Sequence, residues 1–238
     1  MTGARAMVMA AGRGERMRPL TDRCPKPLLE VRGKPLLQYH LEALAQGGIG
    51  QVVVNTAWLG EQIEARFAAQ RPHRPEGALP QVLFSHEGRD FGGALETAGG
   101  IARALPLLDE VFWVAGGDVY VPRFEYRPEA LGRFRASGKL AHLYLVPNPA
   151  HNPRGDFGLR PDGAALRDDA VRYTYSTLGL YHRRLFESLP NGNPAGIKAP
   201  LAPLLRAAMD NGEVTAEIYT GAWTDVGTPD RLAALNAP

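Results

Sequence analysis

The chain has 238 residues, of which 45% are hydrophobic and 22% charged, so it has enough apolar material to bury a full core. Its formal net charge of +2 gives no support to a nucleic-acid partner, because nucleic-acid-binding domains carry a marked basic excess. Cys24 is the single cysteine, which excludes an intrachain disulfide and is typical of a reducing compartment. There is no signal-peptide pattern and no apolar run of 18 residues, so we expect a cytoplasmic protein without a membrane partner.

The first half of the chain alternates short β-rich runs with helical patterns. Strands are predicted at residues 6–11, 51–55, 81–85 and 110–115. Helices are predicted between them, at residues 35–46, 59–70 and 94–105. Repeated strand–helix units predict an α/β, Rossmann-like and mostly parallel sheet with helices on both faces. The segment 71–80 holds three prolines and is predicted to be a surface loop.

The pattern changes after Asp118, and the second half is expected to form a substrate lid on the first-half sheet. Strands are predicted at residues 140–146, 173–181 and 214–219, and helices at 198–211 and 230–236. The chain has no internal repeat and no convincing linker. We therefore expect a single domain over residues 1–238, divided into halves of about 1–118 and about 119–225.

A Gly-rich, cationic segment follows the first predicted strand, with the sequence AAGRGERMRPLTDRCPKPL from Ala10 to Leu28. Backbone N–H groups and cationic side chains at this place in a parallel sheet are typical of a polyphosphate site. Met17 stands where a dinucleotide fingerprint needs its third glycine, and the Gly-Lys-Ser/Thr of a P-loop is missing. The glycines alone favour a plain strand–helix turn, and Arg13 and Arg18 are expected to be solvated.

The whole segment resembles the signature of the sugar-1-phosphate nucleotidylyltransferases, which is roughly A-A-G-x-G-[ST]-R-[LM]-x-P-L-T followed by P-K-P. Glu15 departs from it, because the family has Ser or Thr at that position. Segments that resemble later motifs of the family lie at residues 95–100, 117–119, 157–159, 178–181 and 223–228. The resemblance covers almost the whole chain. It implies a GT-A-like nucleotidylyltransferase fold with a nucleotide-binding first half and a small sugar-binding lid in the second.

The implied reaction transfers a nucleotidyl group to a sugar 1-phosphate and releases pyrophosphate. Residues 55–60, 96–97, 155–157 and 198–201 resemble most the branch that uses UTP and N-acetylmuramate 1-phosphate in cell-wall recycling. Gly116 stands where that branch has an asparagine, two residues before the aspartate of the 117–119 motif. The acceptor therefore stays open among N-acetylmuramate, mannose, glucose and heptose 1-phosphates and phosphocholine. A catalytically silent nucleotide-binding subunit is the alternative from another class.

The resemblance also implies residue roles. Arg16 and Lys26 are the expected catalytic residues, because phosphate oxygens that are already ionised need charge neutralisation rather than a general base. Asp118 and Asp225 are the expected ligands of a Mg²⁺ cofactor, which takes its other ligands from phosphates and water. The expected nucleotide-binding residues are Ala11, Gly12, Gly14, Glu15, Arg16, Lys26, Glu96 and Thr97. The expected sugar-phosphate-binding residues are Asn148, Asp156, Gly158, Gly179 and Lys198.

Overall fold

The computed structural model describes residues 4–68 and 79–237. The helices within these residues are α1 Leu36–Gln46, α2 Gly60–Phe67, α3 Glu87–Phe91, α4 Glu96–Ala104, α5 Pro128–Ser137, α6 Leu201–Asp210 and α7 Pro229–Asn236. The strands are β1 Ala4–Met9, β2 Glu30–Val31, β3 Lys34–Pro35, β4 Gln51–Thr56, β5 Gln81–His86, β6 Leu108–Gly116, β7 Val119–Tyr120, β8 Ala141–Val146, β9 Phe157–Leu159, β10 Ala165–Leu166, β11 Arg172–His182, β12 Val214–Ile218 and β13 Thr224–Asp225. The end of the predicted helix 59–70 and most of the predicted loop 71–80 lie outside the described residues.

Most of the described strands join one mixed sheet, in the order β12-β8-β11-β6-β1-β4-β5. The pairs β6-β1, β1-β4, β4-β5 and β8-β12 are parallel. Strand β11 runs antiparallel to both of its neighbours, β6 and β8, and its first residues also pair with β9. The predicted Rossmann-like sheet with helices is confirmed, and the antiparallel β11 marks where the second half of the chain joins it.

The central strands are apolar on both faces because both faces are covered. Met7 and Val53 pack into one core, while Val8 and Val54 pack into the other, and all four are fully buried. Continuous apolar runs of this kind are characteristic of buried parallel strands. The helix α1 contributes the predicted stripe of Leu37, Leu41 and Leu44 to the second core.

Two short strands that the sequence did not reveal form a separate antiparallel pair. In this pair Asp225 of β13 lies opposite Val119 of β7, and Thr224 lies opposite Tyr120. The Val226 N–H donates to the Asp118 carbonyl at 2.9 Å. The pair therefore brings residues 118 and 225 together, although more than one hundred positions separate them along the chain.

The described helices include none that is both long and apolar enough to cross a membrane. The helix α5 was missed in the sequence, since its pattern is mostly polar with only Ala130, Leu131 and Phe134 buried.

Candidate active site

A cavity of about 670 Å³ opens at the carboxyl ends of β1, β4 and β6. Ligands of open α/β sheets bind outside this edge, where the loops after parallel strands diverge. The cavity is also within the usual size range of small-molecule sites. The residues predicted to be functional that line it are Ala11, Gly12, Lys26, Glu96, Thr97, Asp118 and Asp156.

The loop after β1 turns at Gly14. Its φ of +69° is a left-handed conformation that glycine adopts without strain, and a Cβ there would lie 3.0 Å from Thr21 Cγ2. The Thr21 hydroxyl donates to the Gly14 carbonyl at 2.9 Å, which closes the loop on itself. These contacts fix the turn of the loop, and Gly12 is the loop glycine that lines the cavity.

Arg13 braces this loop, so the expectation that it is solvated is wrong. Its guanidinium donates to the Asp22 carboxylate at 2.8 Å and to the Thr21 carbonyl at 2.9 Å, and it stacks 3.8 Å from the centre of the Trp58 ring. The hydrogen bond from Arg13 holds the pKa of Asp22 below its usual value. Arg18 also bonds Asp22 but stays half-exposed.

Lys26 and Asp118 meet inside the cavity as an ion pair. The Lys26 side chain is 10% exposed, and its Nζ donates to Asp118 Oδ2 at 2.7 Å. Asp118 follows β6 and is 45% exposed. A phosphate could replace the Asp118 carboxylate as the partner of the largely buried Lys26 ammonium. A metal ion could likewise replace Lys26 as the partner of the accessible carboxylate.

Asp225 lies in a second cluster of charges beside Arg231 of α7. The Arg231 guanidinium pairs with the Asp225 carboxylate, and His151 Nε2 lies 3.2 Å from Asp225 Oδ1. A Cβ at Gly227 would lie 3.3 Å from Arg16 Nη2 and 3.1 Å from Asp225 Oδ2, so Arg16 reaches the same place. Burial, with the charges of Arg231 and Arg16, lowers the pKa of His151. The predicted residues Arg16 and Asp225 are therefore neighbours.

A buried polar network supports the base of the loop. Asn55 Oδ1 accepts from the Ala10 N–H at 2.7 Å, and Asn55 Nδ2 donates to Glu87 Oε1 at 2.6 Å. The other oxygen of Glu87 accepts from the Leu95 N–H at 2.8 Å. Burial raises the pKa of Glu87, which is fully inaccessible to solvent. This network ties β1, β4 and the start of α4 into one rigid wall of the cavity.

Glu96 opens α4 in a strained conformation. Its φ is +61°, which is uncommon for a residue other than glycine, and its side chain is exposed at the cavity. The N–H groups of Ala98 and Gly99 are occupied by the Ala199 carbonyl. Glu96 and Thr97 are thus held beside the cavity by a helix start that is anchored to the segment before α6.

Several other predicted residues lie away from the lining of this cavity. Asn148 supports the turn before β9, where its Oδ1 accepts from the Thr174 hydroxyl at 2.9 Å. Gly158 packs against Asp169, and Gly179 is buried in β11 between β6 and β8. Lys198 is exposed shortly before α6. The sugar-binding roles assigned to these four residues stay predictions.

Thr177 and Arg206 are polar residues of the cavity lining that were missed in the sequence. Thr177 lies within β11, and only its backbone conformation distinguishes it. Arg206 lies on α6 as the one cation in the otherwise apolar first two turns of that helix, and this was a signal that the sequence carried. It is exposed and makes no ion pair with the described residues.

Comparisons with known proteins agree with the geometry. The profile of the family described as Nucleotidyl transferase matches residues 5–161. The chain is 44% identical to the N-acetylmuramate alpha-1-phosphate uridylyltransferase of Neisseria meningitidis serogroup B, over 98% of this chain and 97% of that protein. It is 31% identical to the protein of the same name from Caulobacter vibrioides, over 98% of this chain and 95% of that one.

The fold is also that of solved nucleotidyltransferase structures. A Bacillus anthracis structure described as a putative glucose-1-phosphate thymidylyltransferase superposes with a TM-score of 0.78. The alignment covers 98% of this chain and 93% of that one at 18% identity. At this identity the likeness speaks for the fold alone.

Proposed function

Because the chain belongs to the nucleotidyl transferase family, we propose that it transfers UMP from UTP to N-acetylmuramate 1-phosphate and releases pyrophosphate. The observation that carries the proposal is the placement of the Lys26–Asp118 pair in one cavity, which Gly12 of the Gly-rich loop and Arg206 also line. The nucleotide belongs to the half of about 1–118 and the sugar phosphate to the half of about 119–225, in a cytoplasmic enzyme.

The nucleotide side uses the loop after β1. Backbone N–H groups of residues 12–16 bind the triphosphate, and Arg16, whose guanidinium lies near Gly227, neutralises charge on the β- and γ-phosphates. Lys26 places its ammonium near the α-phosphate and the attacking phosphate oxygen. These groups lower the repulsion between the triphosphate and the attacking sugar phosphate and align them for in-line attack. Catalysis of phosphoryl transfer depends mainly on such positioning and charge stabilisation.

The proposal assigns a Mg²⁺ ion to Asp118 and Asp225. Asp118 and Asp225 are neighbours across the β7-β13 pair, and both now pair with cations, Lys26 and Arg231. The described residues hold no group of three or more His, Cys, Asp or Glu that would cage a metal by itself. Two carboxylates suit Mg²⁺, because phosphates and water complete its six ligands. When bound, the ion supplies neutralisation of the phosphate charge.

Arg206 favours a carboxylate-bearing acceptor. It is an exposed guanidinium on the α6 wall, which is otherwise formed by Pro200, Leu201, Ala202 and Leu205. N-acetylmuramate differs from glucose, mannose and heptose in carrying a lactyl carboxylate. A guanidinium binds a carboxylate through two parallel hydrogen bonds, so this wall supplies a partner that the neutral sugars would leave unused.

The test is a pyrophosphate-release matrix of nucleoside triphosphates against acceptor phosphates, with Mg²⁺ and with EDTA. We expect turnover only with UTP and N-acetylmuramate 1-phosphate together, and only with the metal. Asp118→Asn should abolish it. Arg206→Met should raise KM for the acceptor about tenfold and leave KM for UTP unchanged, a loss of about 1.4 kcal/mol.

Arg135→Met is the matched control, since Arg135 is an exposed arginine on α5. It should leave both KM values unchanged. Turnover with a neutral sugar 1-phosphate in preference to N-acetylmuramate 1-phosphate would overturn the acceptor assignment. Thermal stabilisation by UTP and Mg²⁺ without turnover on any acceptor would instead identify a silent nucleotide-binding subunit.

A further inference from the structure

Trp58 follows β4 at the edge of the sheet where the cavity opens. Strands β1 and β4 are parallel neighbours, so the loops that follow them leave the sheet side by side. Trp58 is 36% exposed, whereas Trp113 in the core is only 1% exposed. A tryptophan that stays at the surface in this way adds little to the core, so its polar contacts indicate its role.

Both polar contacts of the indole with the described residues go to the Gly-rich loop after β1. The Trp58 Nε1–H donates to the Thr21 carbonyl at 2.8 Å. The centre of the indole ring lies 3.8 Å from the guanidinium carbon of Arg13, which is a cation–π contact. Trp58 therefore holds the loop near its beginning and near its end.

Thr21 connects these contacts to the turn at Gly14. Thr21 is fully buried, and its carbonyl accepts from the Arg13 guanidinium at 2.9 Å as well as from the indole. Its hydroxyl donates to the Gly14 carbonyl at 2.9 Å. Trp58, Arg13 and Thr21, which we call the Trp58 clamp, thus fix the turn of the loop through bonds within the protein.

The contacts of the loop also leave one of its arginines without a partner. Arg13 and Arg18 each donate to Asp22 Oδ1 at 2.8 Å. Arg16 is exposed and makes no hydrogen bond or ion pair with the described residues. A guanidinium without a partner binds a phosphate without first losing another bond. Arg16 is therefore available to a phosphate, while the clamp keeps Arg13 engaged.

We propose that Trp58 is a positioning residue for the nucleotide, because it holds the Gly-rich loop in the geometry that binds the β- and γ-phosphates of UTP. The inference rests on the proposed function, in which this loop and Arg16 bind the triphosphate. Trp58 does not line the cavity itself, so it acts through the loop. A loop that is ordered before its ligand binds loses less conformational entropy on binding, which raises its affinity.

The experiment compares Trp58→Phe, which keeps a ring over Arg13 but removes the indole N–H, with Trp58→Leu, which removes both contacts. Titration calorimetry with Mg²⁺ measures the binding of UTP, pyrophosphate and UMP, and kinetics give KM for each acceptor that the wild-type enzyme uses. Trp58→Leu should weaken the binding of UTP and of pyrophosphate about tenfold, and Trp58→Phe about threefold. UMP lacks the β- and γ-phosphates, so its affinity should be unchanged, as should KM for the acceptor.

Leu107→Ala is the matched control, because Leu107 is 38% exposed and precedes β6 at the opposite end of the sheet. It should leave every affinity unchanged, and its unfolding temperature shows what the loss of a half-exposed apolar side chain costs.

Two results would overturn the role of Trp58 while wild-type turnover kept the proposed function intact. One is unchanged binding of UTP and pyrophosphate in Trp58→Leu, and the other is an equal weakening of UTP and UMP binding. A wild-type protein that turns over no acceptor would overturn the proposed function, and the titrations with UTP, pyrophosphate and UMP would still decide the role of Trp58.

Discussion

Glu96 offers a test that separates the effect of its backbone on stability from the effect of its side chain on function. Its φ of +61° costs a residue other than glycine about 1–2 kcal/mol, and its exposed side chain makes little packing that would offset this cost. Comparing Glu96→Gly with Glu96→Ala isolates the backbone term, because both remove the carboxylate from the start of α4. The greater conformational entropy of the unfolded Glu96→Gly chain offsets about 0.5–1 kcal/mol of this gain in stability.

The expected net difference is therefore about 1 kcal/mol in the free energy of unfolding, with Glu96→Gly the more stable variant. For a chain of 238 residues, this corresponds to about 2–4 °C in unfolding temperature. Urea unfolding at a fixed pH gives the free-energy difference, and thermal unfolding gives the temperature. Both variants should have the same slope against urea.

The change in KM for UTP should not depend on the backbone conformation at position 96. If Glu96 accepts a hydrogen bond from the uracil N3–H or a ribose hydroxyl, each variant loses a charged hydrogen bond of about 1.5–3 kcal/mol. KM for UTP should then rise at least tenfold to a similar extent in both, with KM for the acceptor unchanged. Glu96→Gln keeps an acceptor oxygen and should lie between them and wild type. Finding Glu96→Gly no more stable than Glu96→Ala would refute the strain argument, and an unchanged KM for UTP would refute the nucleotide role.

Further outcomes concern the loop and a buried histidine. Gly14→Ala should lower the free energy of unfolding by about 1 kcal/mol or more, because its φ is positive. Gly12→Ala, whose Cβ meets nothing within 4 Å, should not lower it and should only raise KM for UTP. Equal stabilities of the two variants in urea would contradict this. His40 is buried against the Tyr126 hydroxyl and the Val119 carbonyl, and burial lowers its pKa to about 4. The neutral imidazole is thus favoured in the folded state, so stability present above pH 6.5 should fall by up to about 3 kcal/mol as the pH drops toward 4. His40→Gln should flatten this acid limb in urea unfolding measured from pH 7 to pH 4, and an unchanged limb would show that other groups cause it.

The sequence predicted the structure best where a local pattern is compatible with only one type of element. The apolar runs at residues 51–55 and 110–115 had to be buried strands, and the helix ends near Gln46 and Asn236 agree with the structure. The opening loop resembled the family signature over its whole length, whereas its glycines alone favoured a plain strand–helix turn. The family motifs then supplied Lys26, Asp118 and Glu96 to one cavity.

The sequence by itself thus determined the sheet through short-range patterns, and the reaction class through the family motifs that it carries. Only the tertiary structure decided how distant residues contact one another. Asp225 meets Arg16 through the two-residue β7-β13 pair, and Thr177 fits against Gly116 because β11 runs antiparallel beside β6 and bulges there. The left-handed φ of Thr177, the lack of a hydrogen-bond partner for its hydroxyl among the described residues and the need for glycine at position 116 have no signature in periodicity or composition. These features exist only once distant strands are packed together.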